Sequence, residues 1–209
     1  MTWDDYADDW DEDEGARAYS QSAFECLTRL CAERAVHLEG ARVCDFGCGT
    51  GLLTEKLAPV CAEVVAVDTS AGMVERLRRK IDRRGLTNVH TTTEAVEQAV
   101  NHNKIFGRPF DVVVCSSVCA FLDDYAMTTS TLVRLLRPGG LFVQWDWELD
   151  PHSQEPFGLT REQVQVTLSR SGLEAVQVTT GFEVAMGDKT VRPLMGVGQT
   201  PSSGRADTP

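Results

Sequence analysis

Residues 43 to 51 read Val-Cys-Asp-Phe-Gly-Cys-Gly-Thr-Gly, and the fold is decided by how this stretch is read. An apolar run, Ala41 to Phe46, ends in glycines at 47, 49 and 51, and residues 52–58 then have the pattern of a helix. Glycine suits a chain turning sharply out of a strand into backbone conformations closed to other residues, and it lets a ligand lie directly on the main chain. About twenty residues further on, a second apolar run, Glu63 to Val67, ends in Asp68. An acid at the tip of the second strand of a β-α-β unit is placed to accept hydrogen bonds from both hydroxyls of a ribose. Glycine loop plus strand-end acid is a nucleoside-binding signature, here in the strand and loop context it requires.

Working outward, the pattern predicts an amphipathic helix over about 16–37, strands at 41–46 and 63–67, and a helix at 71–84. A short strand at 88–92 and a helix at about 94–102 come next, then a strand from Phe110 to Cys115. A helix over about 124–136 is expected to stop at Arg137-Pro-Gly-Gly140, before a strand over Leu141 to Trp147. This alternation calls for a parallel sheet with helices on both faces. After a helix at 161–171, the runs Glu174–Ala185 and Thr190–Gln199 are joined only by Met186 to Lys189. So short a link holds no crossover helix, so the two strands must pair antiparallel.

Composition narrows the function. The 209 residues fit one domain, with an acidic N-terminal arm over 1–15, a body over 16–199 and a disordered tail over 200–209. Eight acids and no bases stand in residues 1 to 14, leaving 23 acids against 20 bases elsewhere, so the net charge of −11 belongs mostly to the arm. Such an arm repels phosphates, and no nucleic-acid partner is expected. The cationic cluster Arg76 to Arg84 reads as the solvated face of a helix that turns Met73, Leu77 and Ile81 inward. No run reaches the roughly 20 apolar residues of a membrane span, and no basic-then-apolar leader opens the chain. Seven cysteines without a Cys-x-x-Cys pair, and four scattered histidines, read as reduced buried thiols in a cytoplasmic protein with no metal site.

The chain resembles the class I S-adenosylmethionine-dependent methyltransferases, in particular the small-molecule branch of ubiquinone/menaquinone-biosynthesis and trans-aconitate-type enzymes. The residues that carry the resemblance are Val43–Gly51, Val65-Ala-Val-Asp-Thr-Ser70, Phe110–Cys115 and Leu136-Arg-Pro-Gly-Gly-Leu-Phe-Val143. It implies a Rossmann-like α/β sheet of seven strands in the order 3-2-1-4-5-7-6, strand 7 antiparallel, with S-adenosylmethionine across the carboxyl ends of the first strands. By the same resemblance Asp45 meets the methionyl ammonium, Gly47, Cys48 and Gly49 form the loop beneath the cofactor, and Asp68 takes the ribose diol. Thr69 and Met73 flank the adenine, and Ser116 lines the methionine end with Ser117. Where the family usually has Gly-Asp-Ala, this chain has Thr93-Glu94-Ala95, so Glu94 either caps the adenine amino group or simply opens a helix.

Ser117–Leu122 and Trp145-Asp-Trp-Glu148 are placed to wall a substrate, although tryptophans at strand ends also pack. Tyr6, Trp10 and Tyr19 form either a lid over the cofactor or a surface packing stripe. The implied chemistry is methyl transfer to a small molecule by a monomer or homodimer. Asp146, Glu148, Asp123 and His152 are candidate bases, none of them in a diagnostic motif. A nicotinamide-dependent oxidoreductase is disfavoured, because Leu52 replaces the last glycine of G-x-G-x-x-G and no Tyr-x-x-x-Lys pair exists. A non-catalytic cofactor-binding adaptor on the same fold stays open. Thiol-assisted methylation of a metalloid is weaker, since Cys44 and Cys48 have packing explanations.

Overall fold

A computed structural model describes residues 2–187 and 189–202. Helix α1 (Glu14–Glu33) precedes β1 (Arg42–Phe46), the helical turn α2 (Thr54–Leu57), β2 (Glu63–Val67) and α3 (Ala71–Arg84). Next come β3 (Val89–Thr92), the turn α4 (Val96–Ala99), β4 (Phe110–Ser116), α5 (Tyr125–Arg134), β5 (Leu136–Asp146) and α6 (Arg161–Arg170). Four short strands follow: β6 (Glu174–Thr180), β7 (Val184–Met186), β8 (Lys189–Val191) and β9 (Leu194–Gln199).

The main sheet runs β3-β2-β1-β4-β5-β9-β6, which is the expected order once β7 and β8, which lie outside it, are left out of the count. The first five strands pair parallel, and β9 is antiparallel to both β5 and β6. Strands buried on both faces need apolar side chains at every position, and successive residues here go to opposite cores. Val43, Val112, Val114 and Val143 meet Ala23, Leu27 and Leu30 of α1 on one side. On the other, Cys44, Val113 and Phe142 meet Leu132 of α5 and Val164 and Leu168 of α6. Among the described residues no helix is long and apolar enough to cross a membrane, and no group of acids, cysteines or histidines is arranged to hold a metal ion.

Several boundaries move. Helix α1 starts at Glu14, where the Asp13 side chain caps it, so the last two residues assigned to the arm are helical. The helix expected over 94–102 is a single turn. Arg137-Pro-Gly-Gly140 does not follow a helix directly: α5 ends at Arg134, and this segment enters β5 through an irregularity between Phe110 and Val112 in the pairing with β4. An irregular entry is where a proline, which cannot donate to a ladder, is tolerated. The expected long hairpin is interrupted. Gly181–Glu183 and Arg192-Pro193 separate the β6·β9 pair from a β7·β8 ribbon outside the main sheet, and Phe182 meets the ring of Tyr19 of α1 edge-on, centroids 5.0 Å apart. In the expected tail, Thr200 Oγ1 accepts from Gly140 N at 2.9 Å and donates to Arg137 O at 2.6 Å, so its first residues are docked. Residues 203–209 of that tail lie outside the described residues.

The arm is docked too. Its residues form two tight turns, Trp3–Tyr6 and Trp10–Glu12. Asp4 accepts from the Ser70 hydroxyl and, at 2.8 Å, from Gly72 N, at the start of α3. Arg76 donates to the carbonyls of Ala7 and Asp8, and Lys80 Nζ stands 2.6 Å from Asp11 and 3.1 Å from Glu55. The cationic face of α3, expected in solvent, is in part the seat of the acidic arm.

Candidate functional site

Strands β1, β2, β4 and β5 end on one edge of the sheet, and the loops leaving them enclose a cavity of about 700 Å³. The first loop is shaped by its glycines. Gly47 has φ 73°, and a Cβ there would come within 2.5 Å of the Val118 side chain. Gly49 has φ 53°, and a Cβ on it would meet nothing within 4 Å, so the main chain at this point is bare. Gly47 N and Cys48 N both donate to Val67 O, at 2.7 and 3.0 Å, which ties this hairpin to the end of β2.

Two carboxylates flank the hairpin. Asp68 accepts from Gly49 N at 2.8 Å and from Ser70 N at 2.9 Å. Burial raises its pKa, against those two hydrogen bonds. Helix α3 is capped instead by Ser70, whose hydroxyl accepts from Met73 N, so Asp68 is not that helix's N-cap. Asp45 is 1% exposed and accepts from the Thr54 hydroxyl at 2.5 Å. Burial pushes its pKa up to about 6, and the neighbouring Asp68 adds to the rise. A buried acid without a cation beside it is the arrangement that a positively charged ligand group relieves.

Asp45, Gly47, Cys48, Gly49, Asp68, Thr69, Met73, Ala95 and Ser116 all line the cavity. Glu94 does not. Its carboxylate faces Asn103 and His102, at 3.2 and 3.3 Å, and Glu97, three residues on in the turn α4, takes the place in the wall. The turn begins at Val96 rather than at Glu94, and this brings Glu97 to the wall. Ser117, Val118, Phe121, Leu122 and Trp147 line the cavity, whereas Trp145 is wholly buried in the core beneath it. Ser117 has φ 56°, a strained conformation for a serine, at the point where β4 gives way to the cavity loop. Met127 and Thr128 of α5 and Met186 of β7 also reach the wall, and no local signal in the sequence brings those segments to the glycine loop.

Of the candidate bases only Asp123 lines the cavity. Asp146 is 1% exposed and accepts from the backbone N–H groups of Cys119, Ala120 and Trp147, at 2.6, 3.2 and 3.0 Å; burial raises its pKa to about 6. It shapes the loop after β4 rather than facing a ligand. Glu148 is held by Arg161 through two hydrogen bonds, and His152 is exposed. The arm closes one side of the cavity with Trp3, Tyr6 and Trp10, and Trp3 meets Phe121 edge-on at 4.9 Å. Tyr19 is 7% exposed, its hydroxyl beside Ser117 without a hydrogen-bond partner, and burial raises its pKa.

Comparison with known proteins agrees with this architecture. Residues 44–142 match the family model of a methyltransferase domain. A ubiquinone biosynthesis O-methyltransferase of Xylella fastidiosa is 35% identical over 111 residues, 53% of this chain and 44% of that protein. An uncharacterized methyltransferase of Schizosaccharomyces pombe is 32% identical over 108 residues, 50% of this chain and 38% of that one. The match thus spans less than half the length of these curated relatives. The N-methyltransferase NodS of Bradyrhizobium japonicum, solved with S-adenosyl-L-homocysteine, superposes with a TM-score of 0.68 over 93% of both chains at 20% identity, a likeness of fold.

Proposed function

We propose that the chain is a class I S-adenosylmethionine-dependent methyltransferase, a reading its matched domain and its sheet order support, and that it transfers a methyl group from S-adenosylmethionine to a small-molecule acceptor. The observation that carries the proposal is the bare main chain at Gly49, set between the strand-end carboxylate of Asp68 and the buried carboxylate of Asp45 in one cavity. The cofactor supplies a methyl carbon activated by a sulfonium, whose displacement leaves a neutral thioether.

The protein's share is placement and exclusion of water. In this reading Asp68 accepts from the ribose hydroxyls, Asp45 takes up the methionyl ammonium, and Gly47, Cys48 and Gly49 form the floor. Thr69, Met73 and Ala95 border the adenine, with Glu97 in the place first given to Glu94, and Ser116 borders the methionine end. The arm, residues 2–13, acts as a lid whose aromatic side chains keep water from the reacting atoms, and the described residues from 14 to 202 form one catalytic domain. A cytoplasmic setting belongs to the same proposal, supported by seven free, buried cysteines.

A second reading, a cofactor-binding adaptor without turnover, draws on the candidate bases: Asp146 and Glu148 are engaged elsewhere. Calorimetry with S-adenosylhomocysteine, paired with a search of cell extract for a compound that gains one CH₂, separates the two. Saturable binding with a methylated product is expected, and binding with no product favours the adaptor. Asp68→Ala removes hydrogen bonds to a charged group worth about 1.5–3 kcal/mol and should weaken S-adenosylhomocysteine by roughly 10- to 100-fold. An unchanged Kd would reject the assignment.

A further inference from the structure

Every charged side chain in the cavity wall is an acid: Asp13, Asp45, Asp68, Glu97, Asp123 and Asp124, with no lysine, arginine or histidine beside them among the described residues. The nearby cations are engaged elsewhere. Arg17 donates to the carbonyls of Asp11 and Glu12, Arg161 holds Glu148, and Lys80 sits between Asp11 and Glu55. The methyl donor carries a sulfonium, an ammonium and one carboxylate, a single net positive charge. Six carboxylates exceed what that cofactor balances: Asp13 and Asp124 cap helices and Glu97 accepts from the Thr128 hydroxyl, so Asp123 is the wall carboxylate left over beside Asp45 and Asp68.

Aromatic rings line the same cavity. Trp3 packs with Tyr6 and Trp10, both at 6.1 Å, and with Phe121, and Trp147 completes that part of the wall. Asp123 follows Phe121 by two residues. In the same wall the buried Tyr19 hydroxyl has no hydrogen-bond partner. Ring faces attract cations through their quadrupole, and carboxylates beside them add direct charge. An unpartnered hydroxyl in the wall is free to accept from an N–H.

We propose that the methyl acceptor is an arylalkylamine that enters this cavity as an ammonium, received by the Trp3–Phe121 ring cluster and Asp123. The proposal rests on the methyltransferase reading above. It excludes polycarboxylate acceptors of the trans-aconitate kind, whose charges would face only carboxylates. In the reaction the acceptor ammonium first loses a proton, through Asp123 to water. The nitrogen lone pair then bonds to the methyl carbon as the carbon–sulfur bond breaks, its electron pair passing to sulfur. The product is the methylated ammonium, so one positive charge leaves as the released proton and one stays on nitrogen.

Three probes of one shape test the charge preference on protein saturated with S-adenosylhomocysteine: 2-naphthylmethylamine, 2-naphthylmethanol and 2-naphthoate, titrated by calorimetry. The amine should bind at least tenfold tighter than the alcohol, with naphthoate weakest. An alcohol or naphthoate that binds as tightly as the amine overturns the proposal, and so does no binding by any of the three. Asp123→Asn should weaken the amine at least threefold and leave the alcohol and S-adenosylhomocysteine unchanged; equal losses for amine and alcohol overturn the proposal as well. Failure to bind S-adenosylhomocysteine at all would reject the methyltransferase reading instead, and the ranking of the probes on the empty protein would still decide this one.

Discussion

In the proposed function, Asp45 is the residue at which the fold gives up stability to hold a ligand. It is 1% exposed, and its pKa stands at about 6 against an ordinary 3.8. The empty fold therefore binds that proton more tightly than the unfolded chain does, and Asp45's contribution to stability falls as pH climbs from 3.8 through about 6. Asp68, Thr54 and Cys48 are its neighbours, and none is a cation. A bound ammonium reverses the balance by favouring the carboxylate. S-adenosylhomocysteine affinity should thus be level above pH 7 and fall up to tenfold per pH unit below about 6, with proton release on binding at pH 5.5 measured by calorimetry in buffers of different ionisation heat. Asp45→Asn keeps an acceptor for the Thr54 hydroxyl while removing the charge. It should raise the stability of the empty protein by about 1–3 kcal/mol at pH 7.5, roughly 2–8 °C in Tm, and weaken cofactor at least tenfold. A lower Tm would show that the charge is not the strained element. The placement of Asp45 and Asp68 in the cavity wall was legible because it depends on strand ends and glycines within a few residues. Which of Glu94 and Glu97 reaches the cavity wall depends on where a one-turn helix begins, which local sequence leaves open.

Between elements, the contact that sequence reasoning missed is the arm on α3. Eight acids in residues 1 to 14 and six cations in residues 76 to 84 were each visible, but their meeting depends on the sheet order, which brings the start of α3 beside the glycine loop. Lys80 is the clearest case, its side chain 8% exposed between Asp11 and Glu55. Lys80→Met keeps the length of the stem and leaves two acids facing each other without a cation. Removal of one partner from a buried ion pair costs about 3 kcal/mol, so a fall of roughly 6–12 °C in Tm is expected. Asp11→Asn with Lys80→Met should recover part of the loss, since fewer uncompensated charges remain. The double variant should also bind S-adenosylhomocysteine more weakly than the native chain, because the arm loses the Asp11–Lys80 ion pair that seats it on α3. Equal affinity would separate the arm's packing from any lid action.

At the scale of the whole molecule, the parallel core was legible because strands buried on both faces must be apolar throughout, and Val43–Phe46, Val64–Val67 and Val112–Cys115 are nearly so, Asp45 apart. The broken hairpin was not: whether Val184–Met186 continues β6 or leaves the sheet depends on Phe182 finding Tyr19 and Trp145, a contact far away in sequence. The same two-sided burial governs the cysteines. All seven are free and buried; burial raises the pKa of Cys31 and Cys61 to about 12 and drives Cys44 and Cys48 well above their ordinary value, and a hydrogen bond with Cys115 together with burial does the same to Cys119. A thiol reacts as its thiolate, so these groups are shielded twice, by lack of access and by lack of ionisation. The native protein at pH 7.5 should take up less than about one equivalent of Ellman's reagent over an hour, and the denatured chain all seven. Iodoacetamide treatment of the native form should leave S-adenosylhomocysteine affinity intact. If one thiol in the glycine loop, Cys44 or Cys48, reacted readily and cofactor protected it, a chemical role for sulfur in this cavity would return.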